Sequence, residues 1–177
     1  LHIYHGRLKT KISFAQALDT LLHKLTLNPT EFAIVLMREE NDSENDAEKA
    51  LWPTTIGKAI KSLGNKAATF SPGITVGDIR GKILFLSRTA YSETDKGAII
   101  KGWNHSKDGT TNGKIISYND SSVARLQVQD FYAPTDKDKR CDKQNAIKKF
   151  FLLADKAPTD VWSINFISGY SATLFGC

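Results

Sequence analysis

Short, nearly continuous apolar runs recur along the chain, separated by longer stretches of mixed polarity. The clearest run covers residues 32–37 and reads Phe-Ala-Ile-Val-Leu-Met. Such a run is typical of a parallel strand that is buried on both of its faces. Further apolar segments occupy residues 1–4, 82–87, 124–129 and 161–166, and in the segment 124–129 Leu126 and Val128 alternate with polar residues. The pattern therefore predicts five strands, which begin near positions 1, 32, 82, 124 and 161.

Between the first two of these strands, apolar residues recur every three or four positions, as on the buried face of a helix. They are Phe14, Leu18, Leu21, Leu22 and Leu25. Ser13 and Gln16 have the spacing of a capping box, in which each side chain accepts a hydrogen bond from the other residue's backbone N–H. A helix is therefore predicted from residue 14, ending before Asn28-Pro29. A strand, a helix and a strand in this order form a βαβ unit, which is right-handed in nearly all proteins.

Later segments predict further helices and one irregular region. A short helix is expected at about residues 47–52, where Pro53 breaks it, and a second helix at about residues 55–63. The charged segment 136–143 leads into a last helix, whose core-facing residues are predicted to be Ile147, Phe150, Phe151 and Ala154. Residues 89–122 are rich in Gly, Asn, Ser and Asp and predict a long, partly irregular region.

The alternation of strands and helices predicts an α/β fold, a parallel (β/α) TIM-type barrel that forms one domain over residues 1–177. The predicted strands begin roughly 30 to 50 residues apart. A barrel of eight strands at roughly this spacing would need well over 200 residues. The barrel is therefore expected to be incomplete, with about five of its eight strands. An open doubly wound sheet is the alternative, although no Gly-rich phosphate loop marks a switch point for it.

The net charge of +5 and the pI near 9.1 favour an anionic partner, such as a phospholipid headgroup, a membrane surface or a nucleic acid. No segment interleaves aromatic and basic residues, so nucleic acid is not expected. A basic surface without a specific partner stays the alternative. No run of about 18 apolar residues predicts a transmembrane segment. Cys141 and Cys177 have neither metal-ligand nor redox spacing, and whether they are bridged stays open.

Four of the predicted strands end in a polar or charged residue. These residues are His5, Arg38, Arg88 and Asp130. In a parallel barrel the carboxyl ends of all strands form one face, and active sites lie on that face. We therefore expect the four side chains to converge. His5, which precedes a predicted polar connection over residues 7–12, is the candidate for chemistry, although a histidine at a strand end can also be structural.

Several motifs together resemble the catalytic X domain of phosphatidylinositol-specific phospholipases C. In chain order, the first motifs are Ile3-Tyr4-His5-Gly6, Thr10-Lys11-Ile12, Asn28-Pro29 and Ile34-Val35-Leu36. Three later motifs are similar to the bacterial, secreted branch in particular, namely Gly77-Asp78-Ile79-Arg80-Gly81-Lys82-Ile83, Leu86-Ser87-Arg88 and Val128-Gln129-Asp130-Phe131-Tyr132. The resemblance covers nearly the whole chain and is weak only across about residues 41–70 and 89–122.

The resemblance implies metal-independent cleavage of phosphatidylinositol, giving diacylglycerol and inositol phosphate via a cyclic inositol phosphate. In that family one histidine deprotonates the inositol 2-hydroxyl and a second protonates the leaving diacylglycerol oxygen. His5 matches the second histidine and is therefore the implied general acid, a role that suits an imidazole because it exchanges protons near neutral pH. The matching substrate-binding positions are Arg38, Arg88, Asp130, Tyr132 and, at the substrate rim, Trp103.

The chain departs from the family's pattern at both of its ends. The family's first histidine and its phosphate-clamping arginine precede the equivalent of Leu1, and another catalytic aspartate follows the equivalent of Cys177. The resemblance thus implies a fragment or truncated form, which could not complete the two-histidine reaction by itself. Arg38 occupies a position where calcium-dependent members have a glutamate ligand, so no metal and no cofactor are expected. The family also implies a secreted or cell-envelope protein, here expected to be a monomer that acts at a membrane surface.

Two other functions stay open from the sequence. One is a non-catalytic module that binds phosphoinositides or inositol phosphates. The other is a metal-dependent phosphodiesterase that acts on glycerophosphodiesters. A second histidine before Leu1 would favour the phospholipase over the binding module, and metal dependence would favour the glycerophosphodiesterase.

Overall fold

The computed structural model describes residues 2–5, 8–39, 46–103, 110–117, 122–131 and 139–168. The elements are, in chain order, β1 (His2–His5), β2 (Leu8–Ser13), α1 (Phe14–Leu27), β3 (Ala33–Met37), α2 (Asp46–Ser62), a 3₁₀ turn (Gly64–Lys66), α3 (Val76–Ile79), β4 (Ile83–Ser87), β5 (Ala98–Lys101), β6 (Thr110–Ser117), β7 (Val123–Gln129), α4 (Lys139–Asp155) and β8 (Val161–Asn165). Within this described part of the chain, no helix is both long and apolar enough to cross a membrane.

Six strands are hydrogen-bonded in chain order, β3-β4-β5-β6-β7-β8, and β1 pairs with β2 in a separate two-stranded sheet. The chain divides into two compact units. The first comprises Leu1–Ile100 and Ile116–Val123, and the second comprises Lys101–Ile115 and Ala124–Cys177. That the whole chain folds as one domain stays a prediction.

The first unit is built around β4, whose five residues are all buried. β3 pairs with β4 in parallel over five residues, from Ala33↔Ile83 to Met37↔Ser87, and β5 also pairs with β4 in parallel. Helices α1 and α2 cover one face of these strands, and the resulting core includes Leu18, Leu25, Met37, Trp52, Ile56, Ile60, Ile83 and Phe85. The apolar run of β4 thus belongs to a strand that is buried on both faces. The prediction of such burial for the run at residues 32–37 is wrong, because Ile34 and Leu36 of β3 are 44% and 41% exposed.

Helix α1 begins and ends where the sequence predicts. Ser13 Oγ accepts a 3.2 Å hydrogen bond from the N–H of Gln16, and Gln16 Oε1 accepts a 2.8 Å bond from the N–H of Ser13. These two bonds form a complete capping box. At the other end, the N–H of Asn28 still donates to the carbonyl of Lys24, after which Pro29 cannot continue the helix.

Pro53 lies inside α2, so the prediction of two helices at residues 47–52 and 55–63 is wrong. Trp52, Ile56 and Ile60 follow one another at four-residue spacing, and all three are buried in the same core. Burial of these three side chains offsets the loss of the one backbone hydrogen bond that a proline cannot donate. The carbonyl of Pro53 also accepts a 3.1 Å hydrogen bond from the N–H of Ser92, which fixes the loop after β4 against the helix.

β1 and β2 form an antiparallel hairpin in which Tyr4 lies opposite Lys9 and His5 lies opposite Leu8. The predicted polar connection over residues 7–12 is therefore wrong, since most of it belongs to β2. The sequence Leu8-Lys9-Thr10-Lys11-Ile12 alternates apolar or hydroxyl residues with lysines, a two-residue period that is typical of a strand. His5 thus ends a hairpin strand, and β1 is not the first parallel strand of the larger sheet.

Residues 89–122 contain two strands, so the prediction of a long irregular region is also wrong in part. Gly97 and Gly102 flank β5 with φ angles of 73° and 80°, which glycine adopts without a steric penalty. Gly113 lies in β6, where an added Cβ would crowd the carbonyl oxygen of Lys101. The glycines that suggest a loop therefore mark the turns and the close backbone approach of a strand pair.

The second unit pairs β7 with β8 in parallel over five residues, from Arg125↔Val161 to Gln129↔Asn165, and α4 packs against β8. Phe150 of α4 is buried, but Phe151 is 60% exposed, so the prediction that both face the core is wrong for Phe151. Successive helical residues point about 100° apart, which leaves room for only one of the two on a narrow buried stripe. That stripe includes an unexpected member, Lys143.

Candidate active site

Three of the four predicted strand-end residues lie where the sequence places them. Arg38 directly follows β3, Arg88 directly follows β4, and Asp130 directly follows β7. The two arginines belong to the first compact unit and Asp130 to the second. The candidate residues therefore form two separate groups, each positioned by its own pair of parallel strands, and their convergence stays a prediction.

The first group is the arginine pair, Arg38 and Arg88. Met37 and Ser87 are the last residues of β3 and β4 and lie opposite each other in the parallel register. The N–H of Arg88 donates a 2.8 Å hydrogen bond to the carbonyl of Met37, which extends the pairing to the arginines themselves. Neighbouring strands lie about 4.8 Å apart, so the two arginine side chains extend from adjacent backbone positions.

Strand alternation predicts that both arginines lie on the same side of the sheet. Met37 and Phe85 belong to the core under α1 and α2. Side chains alternate along a strand, so we expect Arg38 and Arg88, which directly follow β3 and β4, to point away from these helices. Arg38 is exposed and Arg88 is half-buried. Two adjacent guanidinium groups that reach solvent can each form paired hydrogen bonds to the oxygens of a phosphate.

The loops that carry the arginines are fixed by hydroxyl groups of the β4 end. Thr89 Oγ1 accepts a 3.0 Å hydrogen bond from the N–H of Glu39, which ties the chain after β3 to the chain after β4. Ser87 Oγ donates to the carbonyl of Thr89 at 2.5 Å and accepts from its N–H at 3.2 Å. The backbone on both sides of the arginine pair is thereby held in one arrangement.

The second group is centred on Asp130 and Trp103, which are 6% and 7% exposed. Trp103 Nε1–H donates a 3.0 Å hydrogen bond to Asp130 Oδ2. The indole ring also packs against Phe166, with ring centroids 5.5 Å apart. Phe166 follows β8 as Asp130 follows β7, so the carboxylate and the aromatic pair lie at the carboxyl ends of two neighbouring parallel strands.

Gln129, the last residue of β7, is fully buried and forms hydrogen bonds through both ends of its amide. Its Nε2 group donates to Asn165 Oδ1 at 2.8 Å and to the carbonyl of Phe166 at 2.9 Å. Its Oε1 atom accepts from the N–H of Phe131 at 2.8 Å and from Lys143 Nζ at 3.0 Å. A buried polar network that is satisfied in this way holds the backbone on both sides of Asp130 rigidly.

Lys143 is the residue of this group that the sequence reading missed. Burial lowers the pKa of its ammonium group, and the charge of Asp130 opposes that shift. The available signal was its spacing, because Lys143 lies four residues before Ile147 and seven before Phe150, on the inward stripe of α4. A charged residue on the inward stripe of a helix indicates that a buried partner compensates its charge. The many charges of segment 136–143, taken alone, suggest only a solvent-exposed first turn of α4.

Other predicted site residues stay untested. The backbone of His5 is placed at the end of β1, but its side chain lies outside what the structure describes, as do Tyr132 and Cys177. Cys141 on α4 is an exposed free thiol. Among the described residues, no three His, Cys, Asp or Glu side chains group closely enough to hold a metal ion. Metal independence remains a prediction.

Part of the chain is similar in sequence to a known protein. A stretch of 88 residues is 32% identical to the 1-phosphatidylinositol phosphodiesterase of Listeria monocytogenes, covering 49% of this chain and 28% of that protein. No protein-family profile matches the chain.

Solved structures give a broader match. A structure of the phosphatidylinositol-specific phospholipase C of Staphylococcus aureus covers 96% of this chain and 56% of its own, with a TM-score of 0.70 and 21% identity. The Listeria monocytogenes phosphatidylinositol-specific phospholipase C covers 98% of this chain and 57% of its own, with a TM-score of 0.61 and 23% identity. The chain thus spans little more than half of these structures and about a quarter of the curated relative. The matches confirm the predicted resemblance and the incomplete TIM-type α/β fold.

Proposed function

We propose that the full-length protein is a phosphatidylinositol-specific phospholipase C. It cleaves the phosphodiester of phosphatidylinositol to give diacylglycerol and a cyclic inositol phosphate, which then opens to inositol phosphate. The observation that carries this proposal is the arginine pair at the carboxyl ends of β3 and β4, in a fold shared with bacterial enzymes of this name. The Listeria monocytogenes relative, which is 32% identical over 88 residues, carries an activity name of the same kind.

Each group of residues has its own proposed task. Arg38 and Arg88 supply positive charge and forked donors for the phosphate, where negative charge accumulates during the reaction. The Asp130 carboxylate accepts hydrogen bonds from inositol hydroxyls, and the Tyr132 ring packs on the apolar face of the cyclitol. Trp103 is buried against Asp130, which supports a role in holding that carboxylate rather than at the substrate rim.

The chemical step is an internal transfer. The inositol 2-hydroxyl loses its proton to a general base, and its oxygen forms a new bond to phosphorus. The bond between phosphorus and the diacylglycerol oxygen then breaks, and the His5 imidazolium donates its proton to that oxygen. The general base is not among the residues that match the family's motifs within these 177 residues.

Charge also favours a reaction without a metal ion. Arg38 stands at the position where calcium-dependent members of the family have a glutamate ligand. A guanidinium group repels a divalent cation, but it neutralises a phosphate oxygen directly, so one positive charge replaces another.

The overall charge suits a substrate that is embedded in an anionic surface. A net charge of +5 raises the local concentration of the protein at membranes that contain phosphatidylinositol. Resemblance to the secreted bacterial branch supports a location outside the cytoplasm, and we expect the protein to act as a monomer.

The experiment is cleavage of phosphatidylinositol vesicles by the full-length protein and by two histidine variants. His5→Ala removes the proposed acid and should lower kcat by roughly 10²- to 10⁴-fold. His23→Ala changes an exposed histidine of α1 and should have no effect. Activity of the His5→Ala variant within a few-fold of the unchanged protein would contradict the proposed role. Headgroup binding without any cleavage would instead favour the non-catalytic module.

A further inference from the structure

Among the residues that the structure describes, only two charged side chains are buried, Asp130 and Lys143, each 6% exposed. They carry opposite charges, and both belong to the second compact unit. Asp130 follows β7, while Lys143 lies in the first part of α4. A buried charge is strongly unfavourable unless an opposite charge or several hydrogen bonds compensate it. Two buried side chains of opposite charge in one compact unit can therefore compensate each other.

One side chain connects them. Lys143 Nζ donates a 3.0 Å hydrogen bond to Gln129 Oε1, and Gln129 immediately precedes Asp130. The same Oε1 atom accepts from the N–H of Phe131, which immediately follows Asp130. The ammonium group is thus attached to the backbone on both sides of the aspartate through one amide oxygen. The negative charge of Asp130 also favours the protonated form of Lys143 against the effect of burial.

We propose that Lys143 is a positioning residue for Asp130. Its charge balances the buried carboxylate, and its bond to Gln129 fixes the turn that carries that carboxylate. Lys143 acts through Asp130 and makes no contact with substrate. The contribution to headgroup binding rests on the proposed function, whereas the coupling between the two side chains does not.

The coupling can be measured without any substrate. Lys143→Met keeps much of the apolar stem but removes the positive charge that interacts with the Asp130 carboxylate, so the urea midpoint of unfolding should fall. Adding Asp130→Asn to this variant removes the unbalanced charge, so the double variant should lose less stability than the sum of the two single changes. Additive losses would overturn the proposal.

A spectroscopic signal reports on the carboxylate directly. Trp103 Nε1–H donates to Asp130, so its indole resonance in a ¹H–¹⁵N spectrum responds to the position and charge of that group. Lys143→Met should shift this resonance, assigned with a Trp103→Phe variant. Lys148→Met and Lys149→Met, which change exposed lysines of the same helix, should not shift it. An unmoved Trp103 resonance in the Lys143→Met protein would also overturn the proposal.

Kinetics then test the link to function. With phosphatidylinositol vesicles, Lys143→Met should raise KM about tenfold or more, because a hydrogen-bonded charge that orients a binding group typically has effects of that size. Lys143→Arg, which keeps the charge, should restore most of the loss. A merely structural lysine would lower the folded fraction and leave KM unchanged, and that result would overturn the functional part. If no variant, including the unchanged protein, cleaves the lipid, the proposed function fails while the stability and resonance tests still decide the coupling.

Discussion

The indole N–H of Trp103 donates a 3.0 Å hydrogen bond to Oδ2 of Asp130, and both side chains are buried. A carboxylate that can rotate would lose conformational entropy each time it bound a sugar hydroxyl. Here one oxygen is already held by a rigid donor, and the ring of that donor is packed against Phe166. The relationship makes Asp130 a pre-oriented acceptor, which is the property that a headgroup-binding carboxylate requires.

Trp103→Phe tests this orientation. The change removes the indole donor but keeps an aromatic ring next to Phe166, so packing is largely retained. A hydrogen bond to a charged group is worth about 1.5–3 kcal/mol, and we expect KM for phosphatidylinositol to rise roughly tenfold or more. Trp162→Phe, on β8, serves as the control and should leave KM unchanged. Equal KM values for both variants would contradict the orienting role.

Arg38→Lys and Arg88→Lys test the arginine pair. Lysine keeps the charge but loses the planar fork that binds two phosphate oxygens at once, so each change should lower kcat/KM about tenfold or more. Arg80→Lys is a matched control in the same compact unit, because Arg80 is exposed, precedes β4 and donates to the carbonyl of Thr30. Equal activity of Arg88→Lys and Arg80→Lys would contradict the proposed role of Arg88 in binding the phosphate.

Gly57→Ala tests the packing of α2 against the loop after β4. Glycine inside a helix ordinarily costs stability relative to alanine, by about 0.5–1 kcal/mol. At this position, however, an added Cβ would overlap the carbonyl oxygen of Ser92, so we expect a loss of about 1–3 kcal/mol in the free energy of unfolding. Gly77→Ala is the control, since its Cβ would meet only Thr75 Oγ1, at an ordinary 3.4 Å. A stabilised Gly57→Ala protein would contradict the close approach.

The Arg125–Asp160 ion pair predicts a pH dependence of stability. Arg125 Nε and Nη2 donate to the two carboxylate oxygens at 2.9 and 2.8 Å, and these bonds lower the pKa of Asp160 below its ordinary 3.8. A lowered pKa means that the folded state holds the proton less tightly than the unfolded state. The pair therefore contributes fully above pH 3.8, and its contribution is lost as the pH falls through the lowered pKa.

Urea unfolding of the unchanged protein and of Asp160→Asn at pH 6 and pH 3 checks this sign. The variant should unfold at lower urea than the unchanged protein at pH 6, and the difference should shrink at pH 3. Asp155→Asn, at the end of α4, provides a control for loss of one exposed carboxylate. A difference that grows on acidification would show that the pair does not depress the pKa of Asp160.

The sequence predicted the parallel strands of the core because their signal is local. β3 and most of β4 are continuous apolar runs, whereas polar residues interrupt the apolar residues of β7 and β8. The residues that follow β3, β4 and β7 are polar residues of the candidate site. The hairpin at β1 was missed because pairing depends on a partner strand, and the lysines of β2 resemble a polar loop. Pro53 was misread because burial of Trp52, Ile56 and Ile60 outweighs a local propensity.

The contacts within the site could not be predicted, for a related reason. Trp103 and Asp130 are 27 residues apart in the sequence, and only the folded chain brings the indole to the carboxylate. Lys143 resembles any solvated lysine until its helical spacing from Phe150 is compared with the burial of that residue. The sequence shows the residue types and indicates where strands end. Which positive side chain compensates which negative one depends on tertiary packing.

The most direct test of the account is a ³¹P NMR time course of the full-length protein acting on phosphatidylinositol in excess chelator. The account predicts conversion of the lipid phosphodiester signal into that of a cyclic inositol phosphate, followed by slower appearance of inositol phosphate, at a rate that added calcium does not change. Direct formation of inositol phosphate without the cyclic product, or activity that disappears in chelator and returns with calcium, would contradict it.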